Sequence, residues 1–188
     1  SNIDAISTAK WAFTTRRVDR NCVFDINESI ESATSGDLVL AKVVDINQHR
    51  NIQLTVGRPS KLYEGDYVVL ACGDRYAPDQ FEGRAELSLD QADLLAAGGL
   101  IGKAYQAHQS MKPPTKLEPI GLLMNEAGQV INLNDFALPH TSFITKDIIV
   151  IGVVGTSMNS GKTTTTSSLA HGLTKAGYKV AGIKATGT

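Results

Sequence analysis

Residues Gly155-Thr156-Ser157-Met158-Asn159-Ser160-Gly161-Lys162-Thr163-Thr164 bring together the parts from which a phosphate cradle is made. Such a cradle needs successive backbone N–H groups turned toward phosphate oxygens, with glycine wherever a side chain would block the curl. It needs a helix N-terminus, whose free N–H groups and dipole favour an anion. It also needs a lysine for the β- and γ-phosphates and a hydroxyl for Mg²⁺. Here Gly161 permits the close approach, Lys162 is the catalytic cation, Thr163 is the metal ligand and Thr164 is a further hydroxyl near the α-phosphate. Gly155, Thr156, Asn159 and Ser160 complete the nucleotide-binding set. The cofactors this chemistry implies are ATP or GTP with Mg²⁺.

The spacing differs by one residue from the usual G-x-x-x-x-G-K-[ST] pattern. The position expected to hold the first glycine is Thr156, and the glycine stands one place earlier, at Gly155. In this form, Gly-Thr-x-x-x-x-Gly-Lys-Thr over 155–163, the loop resembles that of dethiobiotin synthetase and its relatives. Those relatives include the amidotransferase-type cobyrinate synthetases and the molybdopterin-guanine dinucleotide accessory proteins. The stretch Val180–Gly187 (VAGIKATG) resembles the segment in which a lysine after the second strand faces substrate and phosphate, and Lys184 takes that place. The resemblance covers residues 147–188. It implies a P-loop NTPase whose parent activity is an Mg-dependent phosphoryl transfer or ligase-type reaction on a small molecule, with carboxylate or amide-forming chemistry. Ser157 stands where dethiobiotin synthetases carry an acid and Ala185 where they carry a proline, which argues against a biotin-pathway substrate.

Such a loop has to be held between a strand and a helix. Asp147–Val154 (DIIVIGVV) is a continuous β-branched apolar run, the pattern of a parallel strand buried on both faces. A helix is expected from about Gly161 to Ala176, with Leu169, Leu173 and Ala176 as its apolar stripe and Gly177 as its stop. Tyr178–Ile183 reads as the next strand, giving a β-loop-α-β unit with a right-handed crossover. A complete doubly wound sheet has several more strands, and a metal-holding carboxylate at the end of a later one. Residues 147–188 are therefore expected to be the N-terminal part of a truncated nucleotide-binding domain. On its own the fragment is expected to bind phosphate weakly and be catalytically inactive. One helix covers one sheet face, so the other face of 148–154 is expected to pack on residues 3–146 or on a second copy, as a homodimer.

Residues 3–142 read as a β-rich, small-barrel-like domain, so the whole chain is an α/β protein in two parts. Lys10–Thr15 carries Trp11 and Phe13 on alternate positions and suits a short strand. Asp37–Ile46 is apolar on both faces, and with Ile52–Val56 it reads as a hairpin across the polar turn 47–51. Tyr67–Cys72 is a further strand, and Phe81–Leu87 is expected to pair back. Ser88 with Asp90 and Gln91 looks like a helix start, continued by Leu94–Ala97 and ended by Gly98-Gly99. Leu100–His108 suits either a strand or a second helix. Residues 112–119 hold three prolines and read as a loop, Ile120–Met124 and Val130–Leu133 as two strands, and Asn134–Lys146 as the interdomain linker.

Composition narrows the remaining classes. With 42% hydrophobic and 20% charged residues and a net charge of −1, the chain has no general pull toward nucleic acid or anionic membrane. No signal peptide or membrane span stands out, so a cytoplasmic protein is expected. The two cysteines and four scattered histidines lack metal-site spacing. Arg16, Arg17 and Arg20 suit a solvated basic face, and Asp74, Arg75, Tyr76 and Asp79 share one loop in which a structural ion pair is at least as apt as a function. Two readings of different class remain. In the first, the parent is an enzyme acting on an unknown small molecule. In the second, it is a regulatory or accessory NTPase whose β-domain binds a protein partner.

Overall fold

The computed structural model describes residues 2–75, 82–88, 90–105, 112–142, 148–156 and 160–184. They fall into two compact units, Ser1–Leu138 and Pro139–Thr188.

The first unit is mostly strands. A short helix α1 (Asn2–Thr8) leads into β1 (Lys10–Trp11) and a single 3₁₀ turn over Phe13–Thr15. Then follow β2 (Asp25–Asn27), β3 (Leu38–Asp45), β4 (Asn51–Gln53), β5 (Pro59–Lys61), β6 (Tyr67–Cys72), β7 (Glu82–Arg84), β8 (Ala92–Ala96), β9 (Leu100–Tyr105) and β10 (Lys116–Met124). Five of them close on themselves in the order β3–β6–β9–β8–β10 and back to β3. All contacts in this ring are antiparallel except β6–β9. Closure removes the unpaired edges an open sheet would present. β1 joins β6 in parallel beside the β9 contact, β2 adds to β10, and β7 adds to β9.

The strand period of two sorts the side chains into an inner and an outer layer. Val39, Ala41 and Val43 of β3 and Val68, Leu70 and Cys72 of β6 point inward, where they meet Leu94, Ile101, Leu117 and Leu122. The alternate residues Leu38, Leu40, Val69 and Ala71 pack in a second cluster with Trp11, Val18, Leu123 and Ile131. β3 and β6 are thus buried on both faces, which is why Asp37–Ile46 is apolar at both parities. A cross-strand ion pair joins Lys116 to Asp93 at 2.6 Å, and the second Asp93 oxygen accepts the Ala104 N–H at 2.7 Å, so one carboxylate ties β10, β8 and β9 together.

Several expectations change. Ser88–Ala97 is not a helix, because its centre is strand β8. Ala92 to Ala96 are all buried, and a short apolar run without a face has the same pattern in either state. Ile52–Val56 does not pair with Asp37–Ile46. Instead β4 forms its own hairpin with β5, Ile52 facing Ser60, closed at the tip by Gly57 with φ +82°. Of the segment expected at Phe81–Leu87, Glu82–Arg84 pair with β9, and Phe81 lies outside the described residues. Lys10–Thr15 contributes two strand residues, and Val130–Leu133 makes only isolated bridges, Met124 to Val130 and Asp37 to Asn132. Residues 116–119 of the expected proline loop belong to β10, where Pro119 sits beside a register shift.

Two titratable groups of this unit are shifted by their burial. Burial, with the Asp37 and Asp74 charges adding to it, pushes the Cys72 thiol up to about 12. Cys72 is therefore expected to resist iodoacetamide near neutral pH in the folded protein and to react once urea unfolds it, as followed by mass spectrometry. Fast labelling of the native protein would contradict its place inside the barrel. His49, half-buried, is held below its ordinary value by burial first and by the Arg75 charge second. In the folded state it takes up its proton at lower pH than in the unfolded chain. The stability linked to it is complete above the unfolded value of about 6.5 and drains away as pH falls from there through the lowered folded value. His49→Gln is expected to flatten the fall in urea midpoint over that window, and an unchanged slope would assign the acid sensitivity elsewhere.

The second unit carries one helix, α2 (Lys162–Lys175). The expected strands at Asp147–Val154 and Tyr178–Ile183 are not seen. Residues 148–156 and 178–184 enter no ladder among the described residues. Ile149, Val154 and Ile183 are more than four-fifths exposed. An apolar run records a tendency to be buried, but a strand exists only where a neighbour takes its N–H and C=O groups. The described residues therefore do not show a parallel-sheet unit. The architecture they establish is a β-rich barrel with one long helix beyond it.

Candidate functional site

The loop ends where α2 begins, and the helix itself shows how. Gly161 is the N-cap, with φ +83° and ψ 8°, in the left-handed region. A side chain there would cost about 1–2 kcal/mol in backbone strain alone. Glycine at the cap itself supplies no side-chain acceptor to the first helical N–H groups. The ladder opens with Thr165 N–H to the Gly161 carbonyl at 2.9 Å, so the amides of residues 162–164 precede it. Gly177, with φ +90°, closes the other end, where Tyr178 N–H reaches the Leu173 carbonyl. The expected helix over Gly161–Ala176 is thus present almost to the residue. Its less exposed face runs through Lys162, Thr166, Ala170 and Leu173, however, and Leu169 lies to the side at 37% exposure.

The loop folds back upon the helix start. A Cβ on Gly155 would collide with Ser160 Oγ and press on the Lys162 stem at 3.0 Å from Cγ. The ends of the loop are therefore in contact, and Gly155 is required for space. Among the described residues no atom lies within 4 Å of a Cβ placed on Gly161, so against them that glycine is required for its dihedral angles and not for room. Lys162 Nζ donates to Ser160 Oγ at 3.1 Å, drawing the ammonium back over the loop. Among the neighbouring hydroxyls, Thr166 Oγ1 is used up on the Lys162 carbonyl at 2.8 Å. Thr163 and Thr164 are exposed, and neither hydroxyl donates to a protein group among the described residues.

The structure therefore brings Gly155, Ser160, Gly161 and Lys162 together, with Thr163 and Thr164 on the first turn of α2. Thr156 is exposed in the loop and Asn159 lies outside the described residues. Lys184 is exposed and makes no bond to the loop among the described residues. A charge pattern also bears on the site. Residues 148–188 contain no Asp or Glu, but they contain Lys162, Lys175, Lys179 and Lys184. Inside a chain of net charge −1 this acid-free stretch is locally cationic, which favours an anion at the helix start. It was readable from the sequence by charge counted per segment.

The other candidates resolve as structure. Arg16 lies 4.2 Å from the Phe13 ring centroid and Arg20 4.9 Å from that of Trp11, as exposed cations over aromatic faces. An Arg75 guanidinium nitrogen donates to the Leu95 carbonyl, and Asp74 accepts the Ala85 N–H at 2.7 Å. Tyr76 and Asp79 lie outside the described residues. Among the described residues no group of three or more His, Cys, Asp or Glu side chains could hold a metal, and no helix is long and apolar enough to cross a membrane.

No family model, curated protein or solved structure matches the chain.

Proposed function

We propose that residues 155–164 bind the polyphosphate of a nucleoside triphosphate, ATP or GTP. The observation that carries the reading is the glycine-capped start of α2, whose first-turn amides precede the helix ladder, with Lys162 folded back over a loop whose ends touch. Binding would draw Nζ of Lys162 from Ser160 to the β- and γ-phosphate oxygens, a stronger charge-assisted bond. The amides of residues 161–164 would line the cradle. Mg²⁺, which would neutralise the phosphate charge, fits the Thr163 hydroxyl, since that group is exposed and unspent by the helix. Lys184 supplies further positive charge to the same acid-free segment.

The resemblance to the dethiobiotin synthetase type of P-loop protein supports an Mg-dependent phosphoryl transfer or ligase-type reaction on a small molecule, in the cytoplasm, as the activity this cradle serves. No carboxylate within 148–188 is available to hold a metal-bound water, so these residues alone are expected to bind without hydrolysing. The test is a titration of the chain with ATP and with GTP, each with Mg²⁺, read by the backbone amides. Saturable shifts centred on Gly161–Thr164 support the reading. Nucleotide binding that leaves those amides unmoved overturns it.

A further inference from the structure

The β4–β5 hairpin of the first unit forms one wall of a cleft of about 430 Å³, lined by Lys10, Leu54, Arg58, Ser60, Lys61 and Tyr63. We propose that this cleft is a second anion site, separate from the phosphate loop, built for a doubly charged phosphate monoester group of a small molecule.

The case begins with a charge imbalance. Residues 46–63 contain no Asp or Glu, but they contain Arg50, Arg58 and Lys61. Lys10 enters the cleft from β1, and its charge is answered by Asp66 at 2.5 Å. Arg58 and Lys61 form no ion pair among the described residues, so within these residues two positive charges at the cleft are unanswered. A phosphate monoester carries a charge of about −1.5 to −2 near neutral pH, which matches them.

The two lysines are also held in place. Tyr63 has Lys10 Nζ 5.5 Å and Lys61 Nζ 5.2 Å from its ring centroid, so one aromatic ring gathers two ammonium groups. The same Lys10 Nζ donates to the Lys61 carbonyl at 2.7 Å, and Asp66 accepts the Tyr63 N–H at 2.9 Å, which ties β1 to the hairpin. Pro59 follows Arg58 and restricts the backbone of the residue that carries the guanidinium. That guanidinium presents a planar fork suited to two phosphate oxygens at once. The Ser60 hydroxyl donates to no protein group among the described residues and adds a neutral donor on the same wall. Lysines held against a ring in this way lose less freedom on binding than free surface lysines do.

The experiment is an amide-resolved titration with phenyl phosphate, with phenyl sulfate as the singly charged control. Because the readout is by residue, any response of the loop at 161–164 is recorded separately from the hairpin. Expected are saturable shifts at Arg58, Ser60, Lys61 and Tyr63, weaker by about tenfold or more in the Arg58→Gln, Lys61→Gln double variant, and weaker for phenyl sulfate. Both substituted side chains are exposed, and the variant's amide dispersion checks that the barrel persists. Shifts that rise linearly without saturating overturn the proposal. So do equal affinities for the two probes, or an unchanged affinity in the folded double variant.

Discussion

Lys162→Ala is expected to weaken nucleotide binding roughly tenfold to a hundredfold, the loss that follows from removing a hydrogen bond worth about 1.5–3 kcal/mol to a charged group. The size rests on what Lys162 does before any ligand arrives. Its stem lies against Gly155 and its ammonium bonds Ser160, so the side chain is already ordered over the loop. Little rotamer freedom remains to be lost on binding. Alanine is the best helix former, so α2 should keep its first turn and the amides of 162–164 should stay in place. Residual weak binding through those amides is therefore expected, with its Mg²⁺ dependence intact if Thr163 holds the metal. Calorimetry with ATP·Mg and GTP·Mg on the two proteins, with the helix content checked by circular dichroism, measures the difference. Equal affinity in a folded variant would show that the loop is not where the nucleotide sits.

Much of that site could be read in the residues, because its signals are local. Gly161 at the cap and Gly177 at the stop are demands of backbone geometry that operate over a few residues, and the helix runs between them. The two glycines of the loop differ in role, which the string of letters does not show. Gly155 answers to the Lys162 stem and Ser160 lying against it, a contact created by the loop turning back, whereas Gly161 answers to its own φ. Asp147–Val154 is the opposite case. Its composition expresses a wish for burial on both faces, and burial depends on partners that composition cannot name. Among the described residues none pairs with 148–154.

The barrel divides along the same line. Tyr67–Cys72 is a strand from end to end as read, since a short β-branched apolar run follows directly on a turn signal, Gly65-Asp66. β8 was legible as a buried element but not as a strand. Ser88, Asp90 and Gln91 imitate a helix start, and every residue from Ala92 to Ala96 is buried, so no face distinguishes the two periods. What decides it is the pairing with β9 and β10, including Lys116 opposite Asp93, more than 20 residues apart in the chain. The β4–β5 hairpin fails for a related reason. Its strands are three residues long, and nothing so short states whether it pairs with the strand before it or the one after.

The second large effect concerns the outside of this barrel. Leu40→Ala is expected to cost about as much stability as Leu70→Ala, each roughly 2–5 kcal/mol. Leu70 points into the ring and is fully buried there with Val39, Val68 and Ile101. Leu40 points outward, where a small barrel facing water would tolerate truncation. Here it is equally buried, beneath Trp11, Val18 and Ile131, with Ile6 and Phe136 packed around them. The outer layer is assembled from both ends of the unit, the first 23 residues and residues 131–136. It therefore acts as part of the core, joining the barrel to segments that carry little regular structure of their own. Val44→Ala, on the same strand but half exposed, should stay within about 0.5 kcal/mol. Urea unfolding of the three variants separates the cases. A cost for Leu40→Ala as small as that for Val44→Ala would mean that the N-terminal segment does not seal the barrel in solution. A matched pair of large losses would place the limit of the folding unit beyond the five closed strands, at the residues that cover β3 and β6 from outside.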